Sequence, residues 1–309
     1  MRVLVTGGAG FIGSHIVDLL IKQGHHVLVI DNLSTGSKEN LNPLAKFFQV
    51  DILSPKLENT FQEHQPEIVI HLAAQLDINY SVQEPVKDAE INILGSINLL
   101  ENCRKYKVKK IIYASSAAEI GEPLFLPITE EHPFNPISPY GASKHCLLSY
   151  LKIYAHLYGL NYTYLRYANV YGPRQGLNGE GGVVSTFIKK LLNDIPMTIF
   201  GTGQQTRDFI YVQDVAEATV LMLNQGNNQI YQIGTGKETS INTLFLKIQT
   251  TLGVEIKPTY LPPKKGDIQR SVFNLKKIQT EIGWQPKVEL ESGLIKTIDF
   301  FKEVQFPPK

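Results

Sequence analysis

Apolar residues in the first half of the chain follow two alternating patterns. Short runs rich in β-branched residues are separated by longer segments in which apolar residues recur every three or four positions. Short runs of this kind, bounded by turn residues, predict β-strands. The predicted strands are Arg2–Thr6, Val27–Ile30, Phe47–Val50, Ile68–Leu72, Lys110–Ser115 and Thr163–Tyr167.

The longer segments predict helices over Phe11–Gln23, Asp88–Lys107 and Pro139–Tyr158. The first of them is followed by Gly24, a residue type common just after a helix end. Strands that alternate with helices in this way predict an α/β fold, with a doubly wound parallel sheet covered by helices on both faces.

From Gly172 onward the pattern changes to glycine- and proline-rich turns between short elements, as in Gly176–Gly182 and Pro262–Gly266. This part predicts a smaller, loop-rich C-terminal lobe, closed by a helix over Ser292–Val304. The predicted units are therefore residues 1–172 and 173–309. Their boundary is approximate, because lobes of this kind can exchange strands.

The composition limits function more than fold. The 309 residues are 43% hydrophobic, which is enough for a sizeable core. Lys and Arg number 30 against 29 Asp and Glu, so no basic field is available for a nucleic acid or an anionic membrane. The two cysteines, Cys103 and Cys146, lie in predicted helices, so we expect neither a disulfide framework nor a cysteine-based zinc site, and we predict no metal. We recognise no signal peptide or membrane span and expect a cytoplasmic protein.

The segment Thr6–Gly13 follows the first strand and opens the first helix. Its glycines have the spacing Gly-x-x-Gly-x-x-Gly, which differs from the Gly-x-Gly-x-x-Gly of ordinary dinucleotide dehydrogenases. A glycine triplet alone also fits a turn that binds nothing. Free N–H groups and the positive helix end here suit a pyrophosphate. The candidate residues are Gly7, Gly10, Phe11, Ile12 and Gly13.

Asp31 ends the second strand, eighteen residues after Gly13. A carboxylate at this place can bind the adenosine ribose hydroxyls and repels a 2′-phosphate, which favours NAD over NADP. After the third and fourth strands, other residues can place a side chain at the adenine and small residues against the cofactor. These are Asp51, Ile52, Leu72, Ala73 and Ala74.

Tyr140 and Lys144 form a Tyr-x-x-x-Lys motif near the start of a predicted helix. Residues four apart lie on one helix face, so the ammonium can sit near the phenol and lower its pKa. This helix follows the strand that ends in Ser115 and Ser116, at the sheet edge where ligands of open α/β folds bind. Of the two serines we prefer Ser116 to orient a substrate oxygen, because it lies further out from the strand.

Two other pairs have the same spacing. Tyr106 and Lys110 lie where a helix runs into a strand, far from the carboxyl edge of the sheet. Tyr260 and Lys264 enclose two prolines, so their segment cannot be helical. Only the Tyr140 pair has the context that catalysis requires.

Together the motifs resemble the extended short-chain dehydrogenase family with its Rossmann sheet, in particular the UDP-glucose (UDP-galactose) 4-epimerases. The resemblance extends over essentially the whole chain. The segments that carry it are the glycine loop, Asp31–Ser34, His71–Ala74, Ser115–Ser116, Tyr140–Lys144, Arg166–Arg174 and Ile199–Phe209.

The resemblance implies reversible epimerisation at C4 of a UDP-hexose through a transient 4-keto sugar, with bound NAD. Tyr140 would take the hydroxyl proton, Lys144 would hold the phenolate charge and the cofactor ribose, and Ser116 would assist. Asn32 joins the cofactor set. The implied substrate-binding residues are Ser116, Asn169, Val183, Val184, Phe200, Arg207, Lys264, Asp267 and Ser271. The resemblance also implies a homodimer formed through the helices Asp88–Lys107 and Pro139–Tyr158.

The chain departs from the family pattern at two places. Lys264 stands where the family usually has arginine, and Ala118–Gly121 stands where Val-Tyr-Gly is more usual. Ser271 occupies a position that resembles the gate for a bulky 2-N-acetyl group. Its small side chain suggests that N-acetylhexosamines are accepted beside plain hexoses.

Two other functions fit parts of the sequence. A nucleotide-sugar 4,6-dehydratase needs an acid and a base beside the catalytic hydroxyl, but Ala117 and Ala118 follow Ser116, and Glu119 is the nearest acid. A non-catalytic NAD-binding protein would keep the glycine loop and would have no use for Tyr140 and Lys144.

Overall fold

A computed structural model describes residues 1–176, 181–263 and 266–305. Its strands in chain order are β1 (Arg2–Thr6), β2 (His26–Asp31), β3 (Lys46–Gln49), β4 (Ile68–His71), β5 (Lys110–Ser116), β6 (Asn161–Tyr167), β7 (Asn169–Tyr171), β8 (Thr198–Phe200), β9 (Thr206–Arg207), β10 (Phe209–Tyr211), β11 (Gln229–Ile233), β12 (Thr239–Ser240) and β13 (Thr259–Leu261).

The helices are α1 (Phe11–Lys22), α2 (Leu57–His64), α3 (Ile78–Gln83), α4 (Pro85–Ala89), α5 (Ser96–Lys105), α6 (Pro139–Tyr158), α7 (Val183–Leu192), α8 (Val212–Leu221), α9 (Ile241–Leu252), α10 (Lys276–Ile282) and α11 (Leu290–Gln305). A π-helical turn over Glu90–Gly95 joins α4 to α5. None of the helices in these described ranges is long and apolar enough to cross a membrane.

A seven-stranded parallel sheet forms the centre of the molecule, in the order β11-β6-β5-β4-β1-β2-β3. Alternate side chains of its strands enter different cores, as expected from the two-residue period of a strand. Val3 and Val5 pack with Leu20 of α1, whereas Leu4 packs with Leu100 of α5. The predicted α/β fold with a doubly wound parallel sheet is therefore confirmed.

The predicted strands of the first half all exist, with ends within two residues of the predicted ones. The helix predicted over Asp88–Lys107 differs more, because its first part is divided between α4 and the π-helical turn. Helix α6 begins and ends at the predicted residues. Gly159 follows it with φ of 70°, which permits the left-handed helix end.

The chain after Gly172 does not stay within one lobe. β11 pairs in parallel with β6 and so extends the central sheet, and α8 packs against α1. The remaining elements form a second core around Phe187, Ile199 and Phe245. The predicted boundary at residue 172 is therefore crossed by two elements that join the layers of the first unit.

Candidate active site

The carboxyl ends of the parallel strands bring the predicted cofactor and catalytic residues to one edge of the sheet. Thr6 pairs in register with both Ile30 and His71, and Ser116 pairs with Tyr167. Segments that are distant in sequence therefore meet where the strands end, which is where ligands of open α/β sheets bind.

Helix α6 begins at this edge. The Ser138 side chain caps it by accepting a hydrogen bond from the Gly141 N–H across 3.1 Å, and Pro139 occupies the first turn. Tyr140 thus lies in the first turn of the helix and Lys144 one turn later. The predicted helical spacing of this pair is therefore present.

Tyr140 is partly buried, and its phenol shares a hydrogen bond with the Ser116 hydroxyl. Burial raises the pKa of Tyr140 to about 12, and the Ser116 bond acts in the opposite direction. An unassisted phenol in this place stays protonated at neutral pH. A nearby cation is therefore needed before Tyr140 can accept a proton.

Lys144 is the predicted cation, although its ammonium is bonded elsewhere in this structure. Its Nζ donates to the Ala114 carbonyl oxygen across 3.0 Å and lies 5.0 Å from the centre of the Tyr113 ring. Burial lowers the pKa of Lys144 to about 8, while Glu119 and Asp88 oppose this shift. The lysine can therefore change its charge near physiological pH.

The two serines at the end of β5 have different surroundings. Ser116 bonds to Tyr140 and also accepts the Ala118 N–H at 3.2 Å. Ser115 instead donates to Glu119 Oε2 at 2.8 Å and is buried. Ser116 is thus the serine that the structure brings to the phenol.

Close packing fixes two glycines of the loop. A Cβ on Gly7 would lie 2.7 Å from the Ala73 nitrogen, and Gly7 has φ of 72°; a Cβ on Gly13 would lie 2.1 Å from the Gly7 oxygen. Gly10 caps α1 without a side chain, and no acidic residue occupies the first turn of that helix. The N–H groups of Phe11, Ile12 and Gly13 thus begin a helix whose positive end carries no carboxylate.

Asp31 ends β2 directly beside this loop. One of its carboxylate oxygens accepts the Ala9 N–H at 3.0 Å and the other accepts the Leu33 N–H at 2.8 Å. Burial raises the pKa of Asp31, and these two bonds oppose the shift. The carboxylate therefore links the glycine loop to the end of β2.

The remaining predicted cofactor residues line the same edge. The Asn32 amide donates to Asp51 at 2.7 Å, and Ile52 packs in the core against Gly95. After β4, the Leu72 N–H donates to the Thr6 carbonyl at 3.1 Å. Ala73 and Ala74 follow and are partly buried.

Sequence reasoning did not identify a buried chain of polar side chains beneath this edge. His71 lies between Thr6, at 2.7 Å, and Ser96, at 2.8 Å, and the Ser96 hydroxyl donates to the Asn92 carbonyl. Burial lowers the pKa of His71 to about 3, so its ring is neutral. Polar residues inside an otherwise apolar strand or helix were the available signal, but their partners are 25 or 65 positions away in sequence.

On the substrate side, the structure brings Arg207 and Asp267 together. The guanidinium donates to the Asp267 carboxylate at 2.6 Å and to the Ile268 carbonyl at 2.6 Å. Ser271 is buried four residues later. This ion pair holds the arginine in place before any ligand binds.

The other predicted substrate residues vary in exposure. Asn169 is partly buried at the start of β7, Phe200 is exposed, and Val183 is partly buried at the start of α7. The side chain of Val184 packs inside the core of the second unit, so in this structure it does not line a cleft. Lys264 lies outside the described residues.

Comparison with known proteins adds independent findings. Residues 3–234 match the NAD dependent epimerase/dehydratase family. A protein of Methanocaldococcus jannaschii described as a putative UDP-glucose 4-epimerase is 48% identical, over 97% of this chain and 98% of its own.

Two solved structures are also closely similar. The UDP-glucose 4-epimerase of Thermotoga maritima with UDP-glucose superposes with a TM-score of 0.97 at 46% identity, over 99% of this chain and 100% of its own. The UDP-glucose 4-epimerase of Thermus thermophilus in complex with NAD has a TM-score of 0.92 at 42% identity, over 98% of this chain and 99% of its own.

Proposed function

The chain belongs to the NAD-dependent epimerase/dehydratase family, and we propose that it catalyses the reversible C4 epimerisation of a UDP-hexose. UDP-glucose and UDP-galactose are the proposed substrate pair. The observation that carries the proposal is the hydrogen bond of Ser116 to Tyr140, with Lys144 one helical turn away on the same sheet edge as the glycine loop.

The residues at this edge fit NAD. Gly7 and Gly13 leave no room for a Cβ, which keeps the backbone of the loop tight, and the helix end beyond Gly10 carries no acidic side chain. The pyrophosphate would be held there by backbone N–H groups, and Asp31 would bind the adenosine ribose. When bound, NAD supplies a reversible hydride acceptor.

The chain's own residues would transfer the proton of the sugar's 4-hydroxyl group. Tyr140 would remove the proton from the sugar's 4-hydroxyl and later return one to the same oxygen. Ser116 would orient that oxygen through its hydroxyl. Lys144 would stabilise the phenolate, which the burial of Tyr140 otherwise disfavours.

Asn169, Arg207 and Asp267 are the proposed contacts to the nucleotide side of the substrate, with Val183, Phe200, Lys264 and Ser271 completing the site. Arg207 would exchange its bond to Asp267 for the diphosphate, because a guanidinium binds phosphate oxygens in the same forked geometry. The small Ser271 supports acceptance of N-acetylhexosamines beside hexoses.

The surroundings of Glu119 argue against the dehydratase alternative. Its carboxylate is fully buried and is bonded to Arg166, Ser115 and Tyr164. A carboxyl group held in this way cannot approach the C5 or C6 atoms of a sugar, and alanines occupy the two positions before it.

We also infer a homodimer and a reducing, cytoplasmic setting. Exposed apolar residues on α4, on the π-helical turn after it and on α6 support the dimer, because a second copy of the same helices would bury them. They are Val86, Leu94, Ile153, Leu157 and Tyr158. Both cysteines are unpaired, which suits a reducing compartment.

The test is to incubate the purified protein, with and without added NAD⁺, with UDP-glucose, UDP-galactose, their N-acetyl counterparts and UDP-glucuronate. The anomeric proton signals are followed by NMR. We expect the C4 epimers of at least UDP-glucose to interconvert. A 4-keto-6-deoxy product would indicate a dehydratase, and NAD binding without turnover of any sugar would indicate a binding protein.

A further inference from the structure

A buried ion pair lies next to the catalytic residues, and the proposed reaction does not use it. Glu119, in the turn after β5, accepts a hydrogen bond from the Nε atom of Arg166 on β6, and both side chains are 0% exposed. Removing two charges from water is costly, so such a pair needs further hydrogen bonds in order to persist. Arg166 Nη1 also donates to the Glu130 carbonyl oxygen at 3.1 Å.

Hydrogen bonds connect this pair to both elements that carry the catalytic residues. Glu119 Oε2 accepts from Ser115, which precedes Ser116 on β5, at 2.8 Å. The same oxygen accepts from the Tyr164 hydroxyl, which also lies 3.2 Å from the carbonyl oxygen of Lys144 on α6. One carboxylate therefore joins the end of the strand to the helical turn of the lysine.

Glu119 also affects the charge of Lys144. Burial lowers the pKa of Lys144, and the Glu119 carboxylate is the larger of the two charges that oppose this effect. The titratable groups next to the lysine come from several elements: His71 on β4, Tyr113 on β5, Asp88 on α4, Tyr164 on β6, and Tyr140 and His145 on α6. Arg166 on β6 is paired with Glu119. Among them, Glu119 and Asp88 are the acids that act on Lys144.

We propose that Glu119 is a positioning residue for the Tyr140–Lys144 pair. Its carboxylate fixes the end of β5 against the Lys144 turn of α6 and places an acidic group near the ammonium. The effect of Glu119 on catalysis rests on the proposed function, whereas its effect on the Lys144 charge does not.

The first test measures the charge of Lys144 without any turnover. Lysines labelled with ¹³C at Cε are titrated by NMR in the cofactor-free protein, and the Lys144 signal is assigned from its loss in Lys144→Met. We expect Glu119→Gln to lower the Lys144 midpoint by about one pH unit, because a nearby opposite charge is removed. Glu119→Asp keeps the charge and should remain close to the wild-type value.

Asp214→Asn serves as the matched control. Asp214 is also a buried carboxylate, and it accepts the backbone N–H groups of Lys287 and Val288 at 3.1 and 3.0 Å. Its replacement should lower stability without moving the Lys144 midpoint. If Glu119→Gln does not fold, Glu119→Gln combined with Arg166→Met removes both buried charges. The Lys144 midpoint should then still fall, but by less, because loss of the Arg166 cation opposes the shift.

The second test follows the pH dependence of kcat. Because the Glu119 charge raises the pKa of both Tyr140 and Lys144, Glu119→Gln should move the acid and basic limbs to lower pH together. A purely structural role would lower kcat and leave both limbs in place. The inference is overturned if the Lys144 midpoint in Glu119→Gln equals that of the wild type, or if Glu119→Asp shifts it as far. An inactive wild-type protein would contradict the proposed function alone, since the titration needs no activity.

Discussion

The ammonium of Lys144 donates to the carbonyl oxygen of Ala114 across 3.0 Å, which ties α6 to the carboxyl end of β5. The bond holds the Lys144 ammonium at Ala114, which lies two residues before Ser116 on β5. The Ser116 hydroxyl in turn bonds to the phenol of Tyr140. The end of β5 and the first two turns of α6 therefore hold Ser116, Tyr140 and Lys144 in fixed relative positions. In the proposed mechanism, the acid-base chemistry of Tyr140 depends on the Lys144 charge held in this way.

Burial raises the pKa of Tyr140 to about 12. In the proposed mechanism the Lys144 ammonium favours the phenolate, so Lys144→Met should raise the pKa of the reacting phenol. Since the phenolate is the proposed active form, the acid limb of the kcat/KM profile should move to higher pH. We expect kcat at neutral pH to fall by about 10² to 10⁴.

Lys110→Met is the control for this variant. Lys110 is also a buried lysine in a Tyr-x-x-x-Lys motif, and burial lowers its pKa to about 8, but it donates to the Gln225 carbonyl. The acid limb should stay in place. An unchanged limb in Lys144→Met would show that the ammonium does not control the phenol.

Ser116→Ala should lower kcat by about 10 to 100, because the hydroxyl that bonds to Tyr140 and orients the substrate oxygen is lost. Ser116→Thr keeps a hydroxyl at the same atom and should recover most of the rate. Steady-state kinetics of the two variants decide the point. A wild-type kcat in Ser116→Ala would mean that the hydroxyl has no role.

Gly7→Ala should weaken NAD binding by at least about tenfold, because the new Cβ would lie 2.7 Å from the Ala73 nitrogen and force the loop to move. Gly24→Ala is a matched control, since Gly24 has φ of 78° but no atom within 4 Å of the added Cβ. Both variants therefore carry the strain of an alanine at positive φ, and only Gly7→Ala adds a steric clash. Titration calorimetry with NAD should show a loss of affinity only at Gly7.

Much of this site could be predicted from sequence because its signals are local. The glycine spacing, the strand that ends at Asp31 and the cap of α6 at Ser138 each depend on a few adjacent residues. Residues at parallel strand ends meet at one edge regardless of the loops between them. These features needed no knowledge of distant contacts.

Other features had no local signal. β11 carries polar Gln229 and Gln232, yet it joins the sheet through pairing with β6, which lies more than sixty residues earlier. Glu119 and Arg166 are 47 residues apart, and nothing near either of them indicates a buried ion pair. The π-helical turn over Glu90–Gly95 likewise depends on tertiary packing that a helical pattern cannot encode.

Ser271→Tyr should reduce kcat/KM for UDP-N-acetylglucosamine by at least about tenfold while changing that for UDP-glucose less. Ser271 is buried, so the much larger tyrosine side chain would take up volume beside the proposed sugar site. Ser271→Ala should leave the ratio of the two substrates near the wild-type value. A parallel fall for both sugars in Ser271→Tyr would contradict a gate at this position.

The most direct measurement compares Tyr140→Phe with Tyr106→Phe in the NMR assay of UDP-glucose and UDP-galactose interconversion. Tyr106, at the end of α5, has the same spacing to a lysine, but its hydroxyl donates to Glu58 on α2. We predict that Tyr140→Phe lowers kcat by about 10² to 10⁴ and that Tyr106→Phe keeps the wild-type rate. A Tyr140→Phe protein that interconverts the two sugars at the wild-type rate would contradict the account.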